Sequence, residues 1–270
     1  MISICDNSDI ELVKNYIGNQ YYKSLYLYLD FLKFGLSCDY VTTWIQRCEN
    51  RVTSIVLKYK TGLHIFSKEN NFDVDELCSL IISLKPDMIC SSKDTIDFID
   101  SKLKCESYLQ ETGYVGMFTS SNGEKELESL DNIFDATKAD FPQIIDLLYQ
   151  DEGIGASYEK GELSQQMYER NMQGFSRNCV IKDGEQVVSH ICTGAENEDI
   201  AVVSGVVTAF SCRGRGLASS LIRVFCKRLR EEGKKVYSIY YTSAAQRTHH
   251  KAGFVDVCEY GKLFLKKKRQ

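Results

Sequence analysis

The run Arg213-Gly214-Arg215-Gly216 lies between a β-branched stretch, Val206-Val207-Thr208, and a segment from Leu217 onward whose apolar residues recur at helical spacing. A helix starting there leaves its first backbone N–H groups without intrahelical partners and aims the positive end of its dipole at the turn. Glycines let an anion approach the main chain closely, and two arginines add positive charge beside it. The chemistry these residue types support is the binding of a phosphate or pyrophosphate. The expected cradle is the set of amides of Gly214, Arg215, Gly216, Leu217, Ala218 and Ser219, with the Arg213 and Ser219 side chains as helpers. Taken alone, the same residues also suit a plain strand-to-helix turn.

The spacing Arg-x-x-Gly-x-Ala at Arg213, Gly216 and Ala218 resembles the coenzyme A signature of the GNAT superfamily, the acyl-CoA-dependent N-acyltransferases. Residues 242–254 look like the helix of that superfamily that ends in Gly-Phe, here Gly253-Phe254. Two linked signals in the right order are harder to obtain by chance than one. The resemblance covers residues 132–265 and implies acetyl-CoA as co-substrate, with no metal. It also implies that the pantetheine arm pairs, like an added strand, with the main chain of Val206, Val207 and Thr208, a contact nearly blind to side-chain type. Many relatives carry a tyrosine four residues before the glycine of Gly-Phe, whereas His249 stands there in this chain. The resemblance makes His249 the candidate general acid, since an imidazole of ordinary pKa is partly protonated at pH 7. A partly buried helix residue bonded to main chain is the competing reading. His250 lies about 100° further round the helix and reads as a surface residue.

Acyl transfer to an amine also asks for a group to take the amine proton. Glu196, Glu198 and Asp199 precede the central strand, and Glu152 and Tyr158 fall between the first two helices of this half. Solvated loops account for these residues equally well, and a water relay serves the same purpose. Tyr240 and Tyr241 close the next strand, lining the cleft or packing. Cys212 adjoins the motif without an assured base and reads as a packed thiol rather than a nucleophile.

Positioning these residues requires an alternating order of elements. Residues 132–137 read as a strand, 138–150 and 163–172 as helices, 178–182 and 186–194 as a hairpin, and 200–210 as the strand feeding the turn. Residues 216–232 read as the helix after it, followed by strand 235–241, helix 244–252 and strand 255–265. Earlier in the chain, helices are expected over 9–18 and 21–34, strands over 52–60 and 62–66, a helix over 73–84, a strand over 87–90, a helix over 93–104 and an extended segment over 107–119. The polar, turn-rich stretch 120–131 separates the halves. The expected fold class is α/β with a mixed sheet: a GNAT domain over 126–270 and, over 1–125, either a degenerate GNAT-like copy in a tandem arrangement or an unrelated α+β accessory domain.

The chain has 270 residues, 43% hydrophobic, with a net charge of −4, which suits a soluble globular protein and gives no overall attraction to nucleic acid or an anionic membrane. The basic run Lys266-Lys267-Lys268-Arg269 reads as a solvated tail, and the tyrosines at 21, 22, 26 and 28 as core or interface. Eleven cysteines, an odd number with no Cys-x-x-Cys, and four scattered histidines fit neither a disulfide framework nor a zinc site. No leader or membrane span is evident, so the cytoplasm is expected. The leading expectation is an N-acetyltransferase that moves an acetyl group from acetyl-CoA to a primary amine of a small molecule in a ternary complex, as a monomer or homodimer. The alternative is a non-catalytic acyl-CoA-binding sensor.

Overall fold

The computed structural model describes residues 1–103, 107–119, 132–151, 154–155 and 159–265. The expected boundary stretch 120–131, Glu152, Tyr158 and the basic tail lie outside the described residues. The chain separates into two compact units, Met1–Val115 with Asp256–Gln270, and Gly116–Val255.

The first unit runs β1 (Ile2–Ile4), α1 (Ile10–Ile17), α2 (Leu25–Phe34), β2 (Ser37–Cys38), β3 (Val41–Cys48), β4 (Arg51–Tyr59), β5 (Gly62–Phe66), α3 (Val74–Leu84), β6 (Met88–Ser92), α4 (Lys93–Leu103) and most of β7 (Tyr108–Phe118). Its sheet is ordered β1-β3-β4-β5-β6, with β2 on β3. Only β5 and β6 are parallel, and α3 supplies the crossover between them. The single helix expected over 21–34 is instead a 3₁₀ stretch, Gly18–Ser24, followed by α2, because Ser24, at φ −153° and ψ 67°, leaves helical angles. Strand β3 was not expected from sequence, since its threonines and Gln46 blur the apolar pattern. Gln46 is buried because its amide donates to the Asp73 carbonyl at 2.9 Å and to Glu76 at 2.8 Å, and accepts from the Asp73 N–H at 2.9 Å.

The second unit holds the end of β7, then β8 (Ile133–Asp135), α5 (Phe141–Gln150), α6 (Lys160–Met172), β9 (Asn178–Asp183), β10 (Gln186–Glu196), β11 (Ile200–Thr208), α7 (Leu217–Glu231), β12 (Lys235–Tyr240), α8 (Ser243–Ala252) and the start of β13 (Phe254–Leu265). The remainder of β13 is counted with the first unit, where Tyr260↔Ser92 through Phe264↔Met88 pair it antiparallel to β6. The sequence places residues 126–270 in one domain, whereas contacts group Gly116–Val255 together and Asp256–Gln270 with the first unit; strands whose partners are distant in the chain leave no local signal.

Strand order in the second unit is β12-β11-β10-β9-β8, with β11 and β12 parallel and α7 between them in the chain. The helix buries Leu221, Ile222, Phe225, Cys226 and Leu229 against Cys179, Ile181, Ile191, Ala201 and Val203 on one face of the sheet. On the other face α5, entered through Pro142 in its first turn, buries Phe141, Ile144, Ile145 and Leu148 against Val180, Val187 and Val207. Val203 and Val207, four apart on one strand, therefore face opposite sides. A regular strand would put them on the same side, so β11 must contain an extra residue between them. The register locates it: His190↔Val207 and Cys192↔Ser204 leave one residue of β10 opposite Gly205 and Val206. Gly205 takes φ +62°, the left-handed value that a glycine bulge uses.

Candidate functional site

The parallel pairing of β11 with β12 ends at Val203↔Ser238, although β11 continues to Thr208. The last part of β11, beyond the bulge, thus leads away from its parallel neighbour and into the turn. Phe210–Cys212 forms one 3₁₀ turn, and Gly214 and Gly216 take φ of +79° and +80°, so the chain reverses through two left-handed residues into α7. Open space lies where a Cβ on either glycine would point. Among the described residues no side chain caps the first amides of α7, and no acidic residue stands in its first turn. The amides of Leu217, Ala218 and Ser219 precede the first α-type bond, Ser220 N–H to the Gly216 carbonyl at 3.1 Å. An uncapped helix start with glycines and cations beside it has the geometry and the charge to hold an anion.

Side chains around this cradle are less uniform than the sequence suggests. Arg213 donates through Nε to the Thr208 carbonyl at 3.1 Å, approaches Asp151 at 3.5 Å and lies over the exposed Phe210 ring at 5.6 Å. Its guanidinium ties the turn to the end of α5. Arg215 is exposed. The Ser219 hydroxyl, expected to help with phosphate, is buried and donates to the Gly216 carbonyl at 2.9 Å, so its hydrogen is already used. Of the three residues expected to pair with an arm of coenzyme, Val207 and Thr208 have carbonyls that accept from the Ser189 hydroxyl and from Arg213. Cys212 is buried in the core against α7, as a packed thiol would be.

The first unit repeats the order β5-α3-β6-α4 where the second has β11-α7-β12-α8, and its parallel pairing ends at His64↔Cys90. The start of its crossover helix is closed. Asp73 accepts from the Asp75 and Glu76 amides at 3.1 and 3.0 Å, and those two acids fill the first turn. A carboxylate already sits where an anion would bind, and the added charge repels another.

His249, on α8, is almost completely buried. Its Nδ1 lies 2.8 Å from the Ala245 carbonyl, which only accepts, so the ring proton is on Nδ1 and Nε2 accepts from the Ser238 hydroxyl at 3.0 Å. The Tyr240 ring lies against it with centroids 4.8 Å apart. Burial pulls its pKa down to about 4, the Ala245 bond opposes this, and His250 adds to the fall. The imidazole is therefore neutral at pH 7 with its one N–H committed, unlike the partly protonated acid expected from sequence. Burial could not be read from the polar residues around it in the chain.

The expected bases are also dispersed. Glu196 is held by Arg177 at 2.9 Å, in a cluster with Glu232. It lies with Glu198 and Asp199 at the opposite end of β11 from the cradle, on the order of 25 Å of extended chain. Tyr240 is buried with its hydroxyl against Gly116, and Tyr241 is half-buried. Sequence reasoning missed Asp151, Ser238 and His190. The first two carried no signal, while His190 in an apolar strand pattern was visible as an oddity. Among the described residues, no group of three or more His, Cys, Asp or Glu is arranged to hold a metal, and no helix is long and apolar enough to cross a membrane.

Residues 135–254 match the family model described as acetyltransferase (GNAT) family. No curated protein sequence matches the chain. Among solved structures, an acetyltransferase of the GNAT family from Colwellia psychrerythraea is similar at 13% identity and TM-score 0.62, covering 98% of this chain and 100% of that one. A GCN5-related N-acetyltransferase-like protein from Streptococcus suis 89/1591 is similar at 14% identity and TM-score 0.63, covering 96% and 99%. A tandem GNAT protein from the clavulanic acid biosynthesis pathway is similar at 9% identity and TM-score 0.57, covering 97% of each chain. At these identities the likeness is one of fold.

Proposed function

We propose that this chain, whose residues 135–254 match the acetyltransferase (GNAT) family model, is an N-acetyltransferase that moves an acetyl group from acetyl-CoA to a primary amine of a small molecule by direct attack in a ternary complex. The observation that carries the reading is the uncapped start of α7, with Gly214 and Gly216 in left-handed conformations and open space over both. The residues suit a pyrophosphate: the main-chain donors of Gly214 to Ser219 would hold it, with Arg215 beside them, and Arg213 braces the turn through Thr208 and Asp151. The separated end of β11, Val206 to Thr208, offers main chain to an extended arm. When bound, acetyl-CoA supplies an acetyl group activated as a thioester. In this reading the first unit binds no coenzyme, because Asp73 closes its helix start. His249 holds α8 to β12, and the protons of the amine and of the departing thiol exchange with water.

One observation favours a second reading, a coenzyme-binding sensor without turnover: the neutral, enclosed His249 leaves no imidazolium to act as acid. Calorimetric titration with acetyl-CoA, comparing wild type with Ala218→Asp, tests the shared premise. Aspartate in the first helical turn favours α7 but places a carboxylate where the pyrophosphate sits, as in α3. Saturable binding by wild type that is lost in a variant of unchanged melting temperature supports both readings, and turnover with a panel of amines then separates them. A folded wild type that binds no acetyl-CoA defeats both.

A further inference from the structure

His190 is fully buried on β10, and the reading of the coenzyme site gives it no task. Its Nδ1 lies 2.8 Å from the Gly205 carbonyl and its Nε2 3.0 Å from the side-chain oxygen Oδ1 of Asn178 on β9. Both neighbours are oxygens as placed, and a neutral ring has one N–H; the Gly205 carbonyl is fixed in the main chain whereas the Asn178 amide can turn, which puts the proton on Nδ1 and leaves Nε2 a lone pair. That lone pair needs a donor, and the Asn178 NH2 supplies one when the amide is turned toward the ring. The same turn partners a buried nitrogen that otherwise has none. Burial holds the ring neutral, with its pKa drawn down to about 4, so the arrangement persists throughout the physiological range.

Gly205 is the residue that makes the bulge. A Cβ there would come within 3.0 Å of the Cys192 sulfur and 3.2 Å of the His190 ring, so the glycine is pressed directly onto the histidine. The bulge determines which side of the sheet Val207 and Thr208 face and begins two residues past the last parallel pair, Val203↔Ser238. A one-residue slip would turn every following side chain and main-chain group by half a turn.

We propose that His190 is a positioning residue: its bond to the Gly205 carbonyl locks the β11 bulge and thereby the direction in which the main chain of Val206 to Thr208 meets the pantetheine arm. This rests on the acetyl-CoA reading above. It makes a distinction between the two ends of the ligand, since the pyrophosphate end meets the start of α7 and not the bulge.

The test compares wild type, His190→Leu and His190→Asn, whose amide keeps a donor near the Nδ1 position. Affinities are measured for acetyl-CoA and for 3′-phospho-ADP, which has the pyrophosphate and lacks pantetheine. His190→Leu weakens acetyl-CoA roughly fivefold to tenfold, the size of one net hydrogen bond, and leaves 3′-phospho-ADP unchanged, while His190→Asn recovers most of the loss. Nitrogen NMR of ligand-free wild type shows the Nδ1–H tautomer from pH 5 to 8. Equal loss of both ligands, no loss of either, or the Nε2–H tautomer overturns the proposal while wild-type binding stands. Wild type that binds neither ligand overturns the coenzyme reading and this proposal with it. If His190→Leu does not fold, Asn178→Ala takes its place: it removes the partner that holds the ring through Nε2, so acetyl-CoA affinity falls while 3′-phospho-ADP affinity stays, and undiminished acetyl-CoA affinity refutes the role.

Discussion

The Ser238 hydroxyl donates to Nε2 of His249 across 3.0 Å, in register with the last parallel pair of β11 and β12. With Nδ1–H bound to Ala245, the imidazole bridges helix and strand and keeps no proton for a leaving group. His249→Phe should therefore lower kcat by less than about threefold, whereas removal of a working general acid costs about a hundredfold or more. The pH profile of kcat in wild type should show no step near 6.5 that this variant removes. A hundredfold loss with retained coenzyme affinity would return His249 to the acid's role.

Both buried histidines have pKa values lowered by burial to about 4. The unfolded chain, with ordinary values near 6.5, binds more protons than the folded one between those limits. Their contribution to stability is thus complete above about pH 6.5 and is lost as pH falls toward 4, on the order of 3 kcal/mol for each ring. Thermal melts from pH 7.5 to 4.5 should show a falling midpoint, flattened in His249→Phe. A midpoint constant over that window would show that the rings titrate normally.

Asp73 caps α3 through two amides. Asp73→Ala should destabilise the protein by about 1 kcal/mol in urea unfolding and leave acetyl-CoA affinity unchanged, since Asp75 and Glu76 still keep an anion from that helix. A second coenzyme equivalent bound by this variant would show that the capping aspartate alone closes the first unit.

Gly205→Ala meets a left-handed φ and two close neighbours, the Cys192 sulfur and the His190 ring. Destabilisation of roughly 2 kcal/mol is expected from the backbone alone, accompanied by weaker acetyl-CoA binding. An alanine variant as stable as wild type would mean that β11 needs no left-handed residue.

The sequence by itself determined the local parts. Arg213 to Ser219 was legible because a glycine-rich turn opening an amphipathic helix is written in consecutive residues, and the hairpin of β9 and β10 and the periodic face of α7 were legible for the same reason. The echo between the halves could be read as an order of elements. Tertiary structure alone decided what depends on residues far apart in the chain: that β13 completes the first unit's sheet beside β6, that Gln46 is buried because Asp73 and Glu76 receive it, and that Ser219 turns its hydroxyl back to Gly216. It also decided the two histidines. A side chain's protonation follows from its burial and from the carbonyls and hydroxyls placed against it, and neither His190 nor His249 carries that information in its neighbours along the chain.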